Sequence, residues 1–457
     1  MDGAYLSAAI DADVYVDQPA GLPPEFGPNG ERLCLKLLKA VYGTVQAGRL
    51  FTQKLRRSLL AIGFEPCLDD EAVFRLDHQL GRVILATHVD DGIGGASSQA
   101  VLDWVYTQIK AAGFTFSQQG RWDTVLGFGC ARDLAARTVT LTARKQISEL
   151  AREHLGDQVA TKLNPPTPSD EGIMSLAPSP PESPEERAAN EEWRRQARSL
   201  KGALIHIAHA HPAIQNATSR VCKYMATPTR ESFAAAKRIL AWLHHRLDLG
   251  VTWGAPHLRQ LSDLEPPSEP PLPMGSLRDY SLVACVDSDL PGTPMLPRAP
   301  DEDTPSDRSS HRAQLGYVIC FAGAGIDGAS RRQHSTATDV AAAELYAASV
   351  CAAVTVSIAA VLKFVSFGEL GGQPVTIWCD NEAAVMVSND ATSIKRLAYI
   401  ARRCRFLQEL AARGLVCLRN VPGSANPADA LTKHISPKTA FREYMARIYQ
   451  RPVGDFM

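Results

Sequence analysis

The chain has almost no net charge, no closely spaced cysteine pair and no internal repeat. Its 48 basic and 49 acidic residues leave a formal charge of −1 at pH 7, so the overall charge gives no sign of nucleic-acid binding. The ten cysteines form no Cys-x-x-Cys pair, which argues against a zinc finger or a redox motif. No signal-peptide pattern is visible, and we expect reduced thiols in an intracellular protein, either cytoplasmic or nuclear.

One uncharged run is long enough to cross a membrane. Leu345–Leu362 contains 18 residues without a charge. It is dominated by Ala, Ser and Thr, begins beside Glu344 and ends at Lys363. These features favour a buried helix packed on a sheet, and no membrane partner is expected.

Length and composition indicate a multi-domain globular protein. At 457 residues the chain is too long for one ordinary core, so two or three domains are expected. Its 45% hydrophobic and 21% charged residues are a globular composition. Two proline-rich stretches, Asn164–Pro184 and Glu265–Pro273, are predicted to be extended linkers or loops, because proline lacks a backbone donor and stops helices.

Four acidic residues in the last third of the chain indicate its chemistry. Asp287 and Asp380 end short, β-prone apolar runs that are typical of buried strands. Glu344 lies in Ala-Ala-Glu-Leu-Tyr-Ala, and Asp429 lies in Asn-Pro-Ala-Asp-Ala-Leu-Thr-Lys. Each acid alone is typical of a solvated surface group, but their order and settings together favour a shared site.

Such a group of acids would need cations. Carboxylates at the ends of neighbouring strands can converge at one edge of a sheet, where they repel one another. Divalent cations relieve this repulsion, and two such ions can clamp the attacking and leaving oxygens of a phosphodiester.

The series resembles the ribonuclease H fold, whose four metal-binding acids occur in the order Asp, Glu, Asp, Asp. The match extends over Ser281–Lys433, and the Asp-Asn-x-x-Ala turn is one of its more specific pieces. Ala-Asp-Ala-Leu-Thr-Lys further resembles the end of this domain in copia-type LTR retrotransposon polyproteins. The resemblance implies a site for two Mg²⁺ ions, with Mn²⁺ as an alternative, that cuts the RNA of an RNA–DNA hybrid and is formed by Asp287, Glu344, Asp380 and Asp429.

Motifs upstream match the same family in the same order. Asp13–Gly21 resembles its Gln-Pro segment, and Leu35–Phe51 resembles its Leu-Tyr-Gly-Leu-Lys-Gln-Ala signature. Ile84–Gly95 resembles the Tyr-Val-Asp-Asp hairpin of reverse transcriptases. Glu192–Trp253 resembles the helical stretch before ribonuclease H, so the resemblance covers nearly the whole chain.

The predicted hairpin suits nucleotidyl transfer. Asp90 and Asp91 follow an apolar strand, and the glycines after them are expected to form a tight return. Adjacent carboxylates at an exposed turn can hold magnesium ions that bind a triphosphate and a primer end. The resemblance implies this role for both acids, places Gln46 near the incoming nucleotide, and implies an RNA template, a DNA primer and deoxynucleoside triphosphates as partners.

The sequence departs from the family pattern in several places. A further catalytic Asp of the family would fall before residue 1, so we expect a truncated and inactive polymerase. His88 replaces a Tyr, either as a group that titrates beside the metal acids or, more simply, as a packing substitution. Pro291–Ser310 is expected to be a disordered loop insertion. The segment before Glu344 is stretched, which leaves Asp339 as an alternative ligand, although the Glu-Leu-x-Ala context favours Glu344.

The resulting architecture is α+β and α/β, with several domains. Its predicted segments are a partial reverse transcriptase palm (1–160), a proline-rich linker (161–190), a helical thumb or connection (191–255), a second linker (256–280), a ribonuclease H-like mixed sheet flanked by helices (281–440) and a tail (441–457). Lys395–Arg419 holds seven basic residues against one acid. This segment is either a phosphate-contacting face or a solvated helix, and the sequence does not decide between them.

A non-catalytic protein is the competing hypothesis. A decayed or repurposed element product could bind nucleic acid without cutting it. The missing Asp favours that view for the polymerase half, whereas the four intact acids favour catalysis in the nuclease half.

Overall fold

The computed structural model describes residues 6, 8–21, 23–115, 122–156, 163–176, 183–254, 281–290, 312–372, 374–389, 399–449, 451 and 453–456. Within them the chain forms several sheets and many helices, which confirms the expected mixed α+β architecture. Contacts divide the chain into two compact units, Met1–Trp122 with Ala360–Glu369, and Asp123–Ala359 with Leu370–Met457. The predicted linker over 256–280 and the predicted insertion Pro291–Ser310 lie outside the described residues.

The first unit contains a strand pair and a four-stranded antiparallel sheet. The pair is β1 (Tyr15–Val16) with β2 (Leu35–Lys36). The sheet has the order β3 (Glu65–Pro66), β4 (Val73–His78), β5 (Gly81–His88) and β6 (Asp91–Ala96). Two helices accompany it, α1 (Ala47–Ile62) and α2 (Gln99–Ala111).

Both helices of this unit bury an apolar stripe. Residues four positions apart lie on the same helical face, and α1 buries Phe51, Leu55 and Leu59 at this spacing. In α2 the buried residues Val101 and Val105 repeat the pattern and join the same core. The periodicity of the sequence therefore accounts for the way these helices pack.

The second unit begins with an antiparallel sheet and a group of helices. The sheet has the order β10 (Val251–Trp253), β9 (Thr138–Thr142), β8 (Phe128–Asp133) and β7 (Thr124–Val125). The helices are α3 (Arg144–His154), α4 (Glu171–Met174), α5 (Pro184–Ala189), α6 (Glu191–Ala208), α7 (Gln215–Cys222) and α8 (Arg230–His244), with a 3-10 turn at Pro212–Ile214.

A mixed five-stranded sheet forms the rest of the second unit. Its order is β13 (Ala324–Arg332), β12 (Gln314–Phe321), β11 (Val283–Asp289), β14 (Val375–Cys379) and β15 (Val416–Asn420). The β13–β12–β11 pairs are antiparallel, whereas β11–β14 and β14–β15 are parallel. Its helices are α9 (Val340–Val365), α10 (Glu382–Asn389), α11 (Ala401–Ala412) and α12 (Lys438–Tyr449), and 3-10 helices lie at Gly423–Ala425, Pro427–Leu431 and Val453–Phe456.

Buried residues cover both faces of this mixed sheet. Side chains alternate between faces along a strand, and in β11 Ala284 and Val286 join a cluster with residues of α9 and α11. Between them, Cys285 joins a second cluster that includes Leu200 of α6 and Trp242 of α8. The predicted helical segment 191–255 therefore shares a core with the sheet.

The proline-rich linker over 161–190 is not extended throughout. Helix α4 lies within Asn164–Pro184, and the prediction of an extended conformation is wrong there. Helix α5 begins at Pro184, where that stretch ends. Ser183 caps α5, and Pro184 occupies its first turn, where a missing backbone N–H costs nothing. The predicted tail over 441–457 is also part of the core, because α12 buries Phe441, Met445 and Tyr449.

Helix α9 is long and apolar enough to cross a membrane by length and composition, the one such helix among the described residues. One helix of this kind is weak evidence, because core helices pass the same test. Its residues Leu345, Ala348 and Ala352 are buried in one cluster with Ala284 and Ile377 of the sheet. The first half of the helix therefore packs on the sheet, as predicted.

Candidate active site

The mixed sheet brings two of the predicted acids to one edge. Asp287 lies in β11, and Asp380 directly follows β14. The two strands are parallel neighbours with Val286 opposite Cys379. Because parallel strands end at the same edge of a sheet, the two carboxylates become neighbours.

Glu344 reaches the same edge from helix α9. The residue is 2% exposed, and its Oε1 accepts a hydrogen bond of 3.0 Å from the backbone N–H of Ser288. Its Oε2 lies 3.7 Å from Cys379 Sγ, which donates to it. Both carboxylate oxygens therefore contact residues that adjoin Asp287 and Asp380.

Asp429 is placed by a 3-10 helix that is tied to the sheet. Asn426, which is fully buried, precedes this helix. Its Nδ2 donates to Val286 O at 2.9 Å, and its Oδ1 accepts from the N–H of Ala428 at 3.1 Å. One amide side chain thus fixes the start of the 3-10 helix against strand β11.

The four acids form two overlapping groups. Ligand atoms of Asp287, Asp380 and Asp429 lie within 4.8 Å of one another, and so do those of Glu344, Cys379 and Asp380. Asp380 belongs to both groups. The tertiary structure therefore brings all four sequence-predicted acids into one cluster, hereafter the acid cluster.

Burial and mutual repulsion raise the pKa values of three of these acids. Burial raises the pKa of Glu344 well above its ordinary value, and the charges of Asp287 and Asp380 raise it further. Burial and then Asp287 raise the pKa of Asp380, and the same two causes raise the pKa of Asp429 to about 7. Full ionisation of the acid cluster near neutral pH therefore needs nearby positive charge.

Two residues that follow Asp429 stabilise the carboxylates of the acid cluster, one by its charge and one by a hydrogen bond. Lys433 Nζ lies 3.1 Å from Asp429 Oδ2 and 3.9 Å from Asp287 Oδ2. The hydroxyl of Thr432 donates a hydrogen bond to Asp287 Oδ2. A single ammonium group cannot neutralise four carboxylates.

The donor set fits divalent cations. Closely spaced carboxylate oxygens are the ligands that Mg²⁺ prefers in proteins. Asp429 Oδ1 is buried and has no hydrogen-bond partner among the described residues. A buried acceptor of this kind calls for a partner, which a bound cation would provide.

The second predicted acidic pair lies at the hairpin of the first unit. His88 pairs with Asp91 across β5 and β6, so the two-residue turn consists of Val89 and Asp90. Val89 supplies the positive φ of 54° that the turn requires. The prediction that the following glycines form the return is therefore wrong.

The glycines that follow the hairpin turn are part of the sheet, where Gly94 allows β6 to lie close to β5. They lie within β6, and a Cβ atom at Gly94 would be 2.1 Å from Ile84 O of β5.

Gln46 immediately precedes α1 and is half-buried. Neither Asp90 nor Asp91 belongs to a group of three potential ligands within 4.8 Å in the part of the chain that the structure describes.

Comparisons with known proteins show what the chain is similar to. Residues 1–160 match the family described as reverse transcriptase (RNA-dependent DNA polymerase). Over 98% of its length, the chain is 25% identical to the retrovirus-related Pol polyprotein from transposon RE1 of Arabidopsis thaliana and 24% identical to that from transposon RE2. These similarities support the assignment of the chain as a fragment of a copia-type retrotransposon polyprotein.

The copia-type chain spans 27% of the length of each of these two plant polyproteins. It is also 24% identical to a putative transposon Ty5-1 protein of Saccharomyces cerevisiae, over 53% of this chain and 74% of that protein. Reverse transcriptases use divalent metals and act on nucleic acids, and the acid cluster lies outside the residues that match this family.

Asp339 and Glu344, the two alternative metal ligands predicted from the sequence, lie in different surroundings. Asp339 is exposed, and its Oδ1 accepts a hydrogen bond of 2.8 Å from the N–H of Ala342 at the start of α9. This is the position of a helix cap. Glu344 lies in the acid cluster instead, which supports the choice made from its Glu-Leu-x-Ala context.

The sequence analysis missed Cys379, Asn426 and Thr432. The only sequence signal for Cys379 was its place between a strand and Asp380. Nothing in the sequence pairs Asn426 with Val286, 140 positions away. Such ties arise only when distant segments meet.

Proposed function

We propose that residues 281–440 of this copia-type chain form a ribonuclease H that cuts the RNA strand of RNA–DNA hybrids. The observation that carries the proposal is the acid cluster, in which four acids form two groups that share Asp380. A mixed sheet with helices on both faces supports the assignment. Residues 1–160 would be a reverse transcriptase palm and residues 191–255 a thumb or connection, with linkers over 161–190 and 256–280.

The residues of the acid cluster have separable roles in this proposal. Asp380 belongs to both ligand groups and would serve both cation positions. Asp287 is oriented by the Thr432 hydroxyl, and Glu344 by the N–H of Ser288. Mg²⁺ or Mn²⁺ bound there would supply an activated water and charge stabilisation at the leaving oxygen.

Recognition of the hybrid would use a neighbouring basic face. Arg402 and Arg405 are exposed on α11, whereas Arg403 donates to Ser349 Oγ at 2.9 Å and covers the Tyr346 ring at 3.7 Å. We assign the exposed arginines to phosphate contacts and Arg403 to the packing of α11 on α9. Selection of RNA would come from its 2′-hydroxyls and its minor-groove shape.

Cleavage of a labelled RNA–DNA hybrid tests the nuclease. The full chain should cut the RNA strand in Mg²⁺ and not in EDTA. Asp380→Asn keeps the size of the side chain but removes the charge shared by both ligand groups, and it should lower the rate by at least about 100-fold.

Asp339→Asn is the matched control for this substitution. Asn still caps a helix, so α9 should be unaffected and cleavage should continue at the wild-type rate. Binding of the hybrid without cleavage would favour the non-catalytic hypothesis. Equal cleavage by Asp380→Asn and the wild-type chain would refute the proposed mechanism.

We further propose that Asp90 and Asp91 hold the cations for RNA-directed DNA synthesis, with Gln46 near the incoming deoxynucleoside triphosphate. The match of residues 1–160 to the reverse transcriptase family supports this role, as does the exposure of Asp91 at a hairpin turn. Because the sequence predicts an inactive polymerase, primer extension on an RNA template by the wild-type chain would overturn that expectation, and its loss in Asp91→Asn would support the role of the two acids. Measurable extension that is equal in both proteins would reject this role.

An intracellular location fits the cysteines. All ten are free, and seven of them are buried. Free thiols are typical of reducing compartments. We therefore propose that the chain acts inside the cell, in the cytoplasm or the nucleus, and fractionation of a tagged full chain tests this.

A further inference from the structure

A buried glutamine outside the acid cluster contacts both elements that carry Asp287 and Glu344. Gln333 follows strand β13 and is 1% exposed. Its Nε2 donates two hydrogen bonds, to Ser288 Oγ at 3.0 Å and to Ala343 O at 2.8 Å. Each acceptor belongs to the residue directly next to one of the two acids.

Ser288 completes the connection between strand and helix. Its backbone N–H donates to Glu344 Oε1 at 3.0 Å, and its hydroxyl donates to Gln314 O at 3.3 Å. The hydroxyl oxygen is then the acceptor for Gln333 Nε2. Both hydrogens of the Gln333 amide are therefore donated, one to Ser288, which follows Asp287, and one to Ala343, which precedes Glu344.

This geometry fixes the spacing between the two elements that carry Asp287 and Glu344. Gln333 holds the strand at Ser288 and the first turns of α9 at Ala343 at fixed distances from its own amide. A fully buried amide has no water to replace these bonds, so the connection should be stiff.

We propose that Gln333 is a positioning residue that holds Glu344 where it can share a cation with Asp380. The inference rests on the proposed nuclease function and deepens it. Gln333 does not belong to the ligand groups itself, so it would act only through Glu344.

The test compares cation binding in the wild-type chain and in Gln333→Met. Methionine has a similar length but no amide hydrogens, so it removes both bonds without leaving a large cavity. Isothermal titration with Mg²⁺ should show about tenfold weaker binding, which is the usual cost of losing a residue that orients a metal ligand. The Mg²⁺ concentration for half-maximal hybrid cleavage should rise by the same factor, while the KM for the hybrid stays unchanged.

Gln314→Met is the matched control. Gln314 is 3% exposed, and its Nε2 also donates two hydrogen bonds, to Ser219 Oγ at 3.0 Å and to Ser330 Oγ at 2.9 Å. The loss of stability should be similar in both variants, but Mg²⁺ affinity should fall only in Gln333→Met. An equal fall in both variants would show a general packing effect and overturn the proposal.

Ser288→Ala decides the matter if Gln333→Met does not fold. This smaller change removes one acceptor of Gln333 and keeps the N–H that bonds Glu344. Mg²⁺ binding should weaken in the same direction, and the double variant should weaken it by less than the product of the single effects. Unaltered Mg²⁺ affinity in Ser288→Ala would overturn the proposal.

The outcomes also distinguish this proposal from the nuclease proposal. A wild-type chain that binds Mg²⁺ without cutting hybrid, together with weaker binding by Gln333→Met, would reject the nuclease and retain the positioning role. Cleavage by the wild type with unchanged Mg²⁺ dependence in the variant would reject the positioning role alone. A wild-type chain that binds no Mg²⁺ would reject both.

Discussion

Asp429 shows how a single residue makes the stability of this protein depend on pH. Burial and the charge of Asp287 raise its pKa to about 7, from an ordinary value of 3.8. An acid with a raised pKa binds more protons in the folded than in the unfolded state, so its contribution to stability falls as pH rises. The cation-free protein should therefore lose stability between about pH 4 and pH 7.

Asp429→Asn tests this residue directly. In EDTA at pH 8 the variant should melt roughly 2–4 °C above the wild-type chain, because it has no charge to bury. At pH 4 the two melting temperatures should agree closely, since the wild-type carboxyl is then largely protonated. Calorimetric melting at both pH values measures the difference, and a variant that melts lower at pH 8 would contradict the expectation.

The residues that carry charge were largely predictable, and those that orient them were not. Asp287 and Asp380 were found because an acid directly after an apolar run is visible in the sequence. Asn426 and Gln333 were missed, because an uncharged amide is typical of any surface. Their roles depend on burial and on partners far along the chain.

The hairpin between β5 and β6 presents a strained element. Val89 has a φ of 54°, a conformation that a β-branched residue adopts only at an energetic cost. Val89→Asn should stabilise the chain by about 0.5–1 kcal/mol, because Asn tolerates this region. Urea unfolding measures the change, and a destabilised variant would show that packing of the Val89 side chain outweighs the strain.

The 3-10 helix that carries Asp429 depends on its cap. Asn426→Ala removes the bonds to Val286 O and Ala428 N–H in a fully buried place. We expect a loss of about 2 kcal/mol in the free energy of unfolding, since a buried carbonyl is left without its partner. Denaturant titration measures this loss, and Asn420→Ala, at the exposed end of β15, serves as a control with a smaller effect.

Strands that follow a clear apolar pattern were predicted better than helices whose start depends on a capping residue. The apolar run Val375–Cys379 coincides with β14, and Val283–Val286 forms the first part of β11. Helix α4 was missed inside a proline-rich segment, because it is a single short turn that starts at a cap, where the Asp170 side chain accepts a hydrogen bond from the N–H of Ile173. A high proline content alone does not exclude such a turn.

The whole second unit depends on helices that precede the mixed sheet. Leu200 and Trp242 of these helices share a buried cluster with Cys285 and Trp378 of the sheet. A chain of residues 281–457 alone would expose this face to water. It should bind a hydrophobic dye and lack a cooperative unfolding transition.

A longer chain of residues 123–457 is the comparison for that prediction. It contains the second unit with its helices and should unfold cooperatively with little dye binding. Cooperative unfolding of residues 281–457 alone would show that the sheet and its remaining helices suffice. Circular dichroism and dye fluorescence on both chains make the measurement.

The sequence by itself determined the order and local setting of the four acids and the resemblance to copia-type retrotransposon polyproteins. Acids in the order Asp, Glu, Asp, Asp, each in a recognisable local setting, are visible without coordinates, as are the apolar periods of α1 and β14. Local patterns carry this information because a helix or strand repeats over a few residues.

Only the tertiary structure decided how close the acids lie and which residues hold them. The meeting of Asp287 with Asp380 depends on a parallel strand pair, and its meeting with Asp429 depends on a hydrogen bond from the Asn426 amide to Val286 O, 140 positions away. The sharing of a core between the helices and the sheet depends likewise on packing. The sequence does not show which segment an apolar stripe or a single amide side chain will contact. That partner is fixed only when the chain folds and distant segments meet.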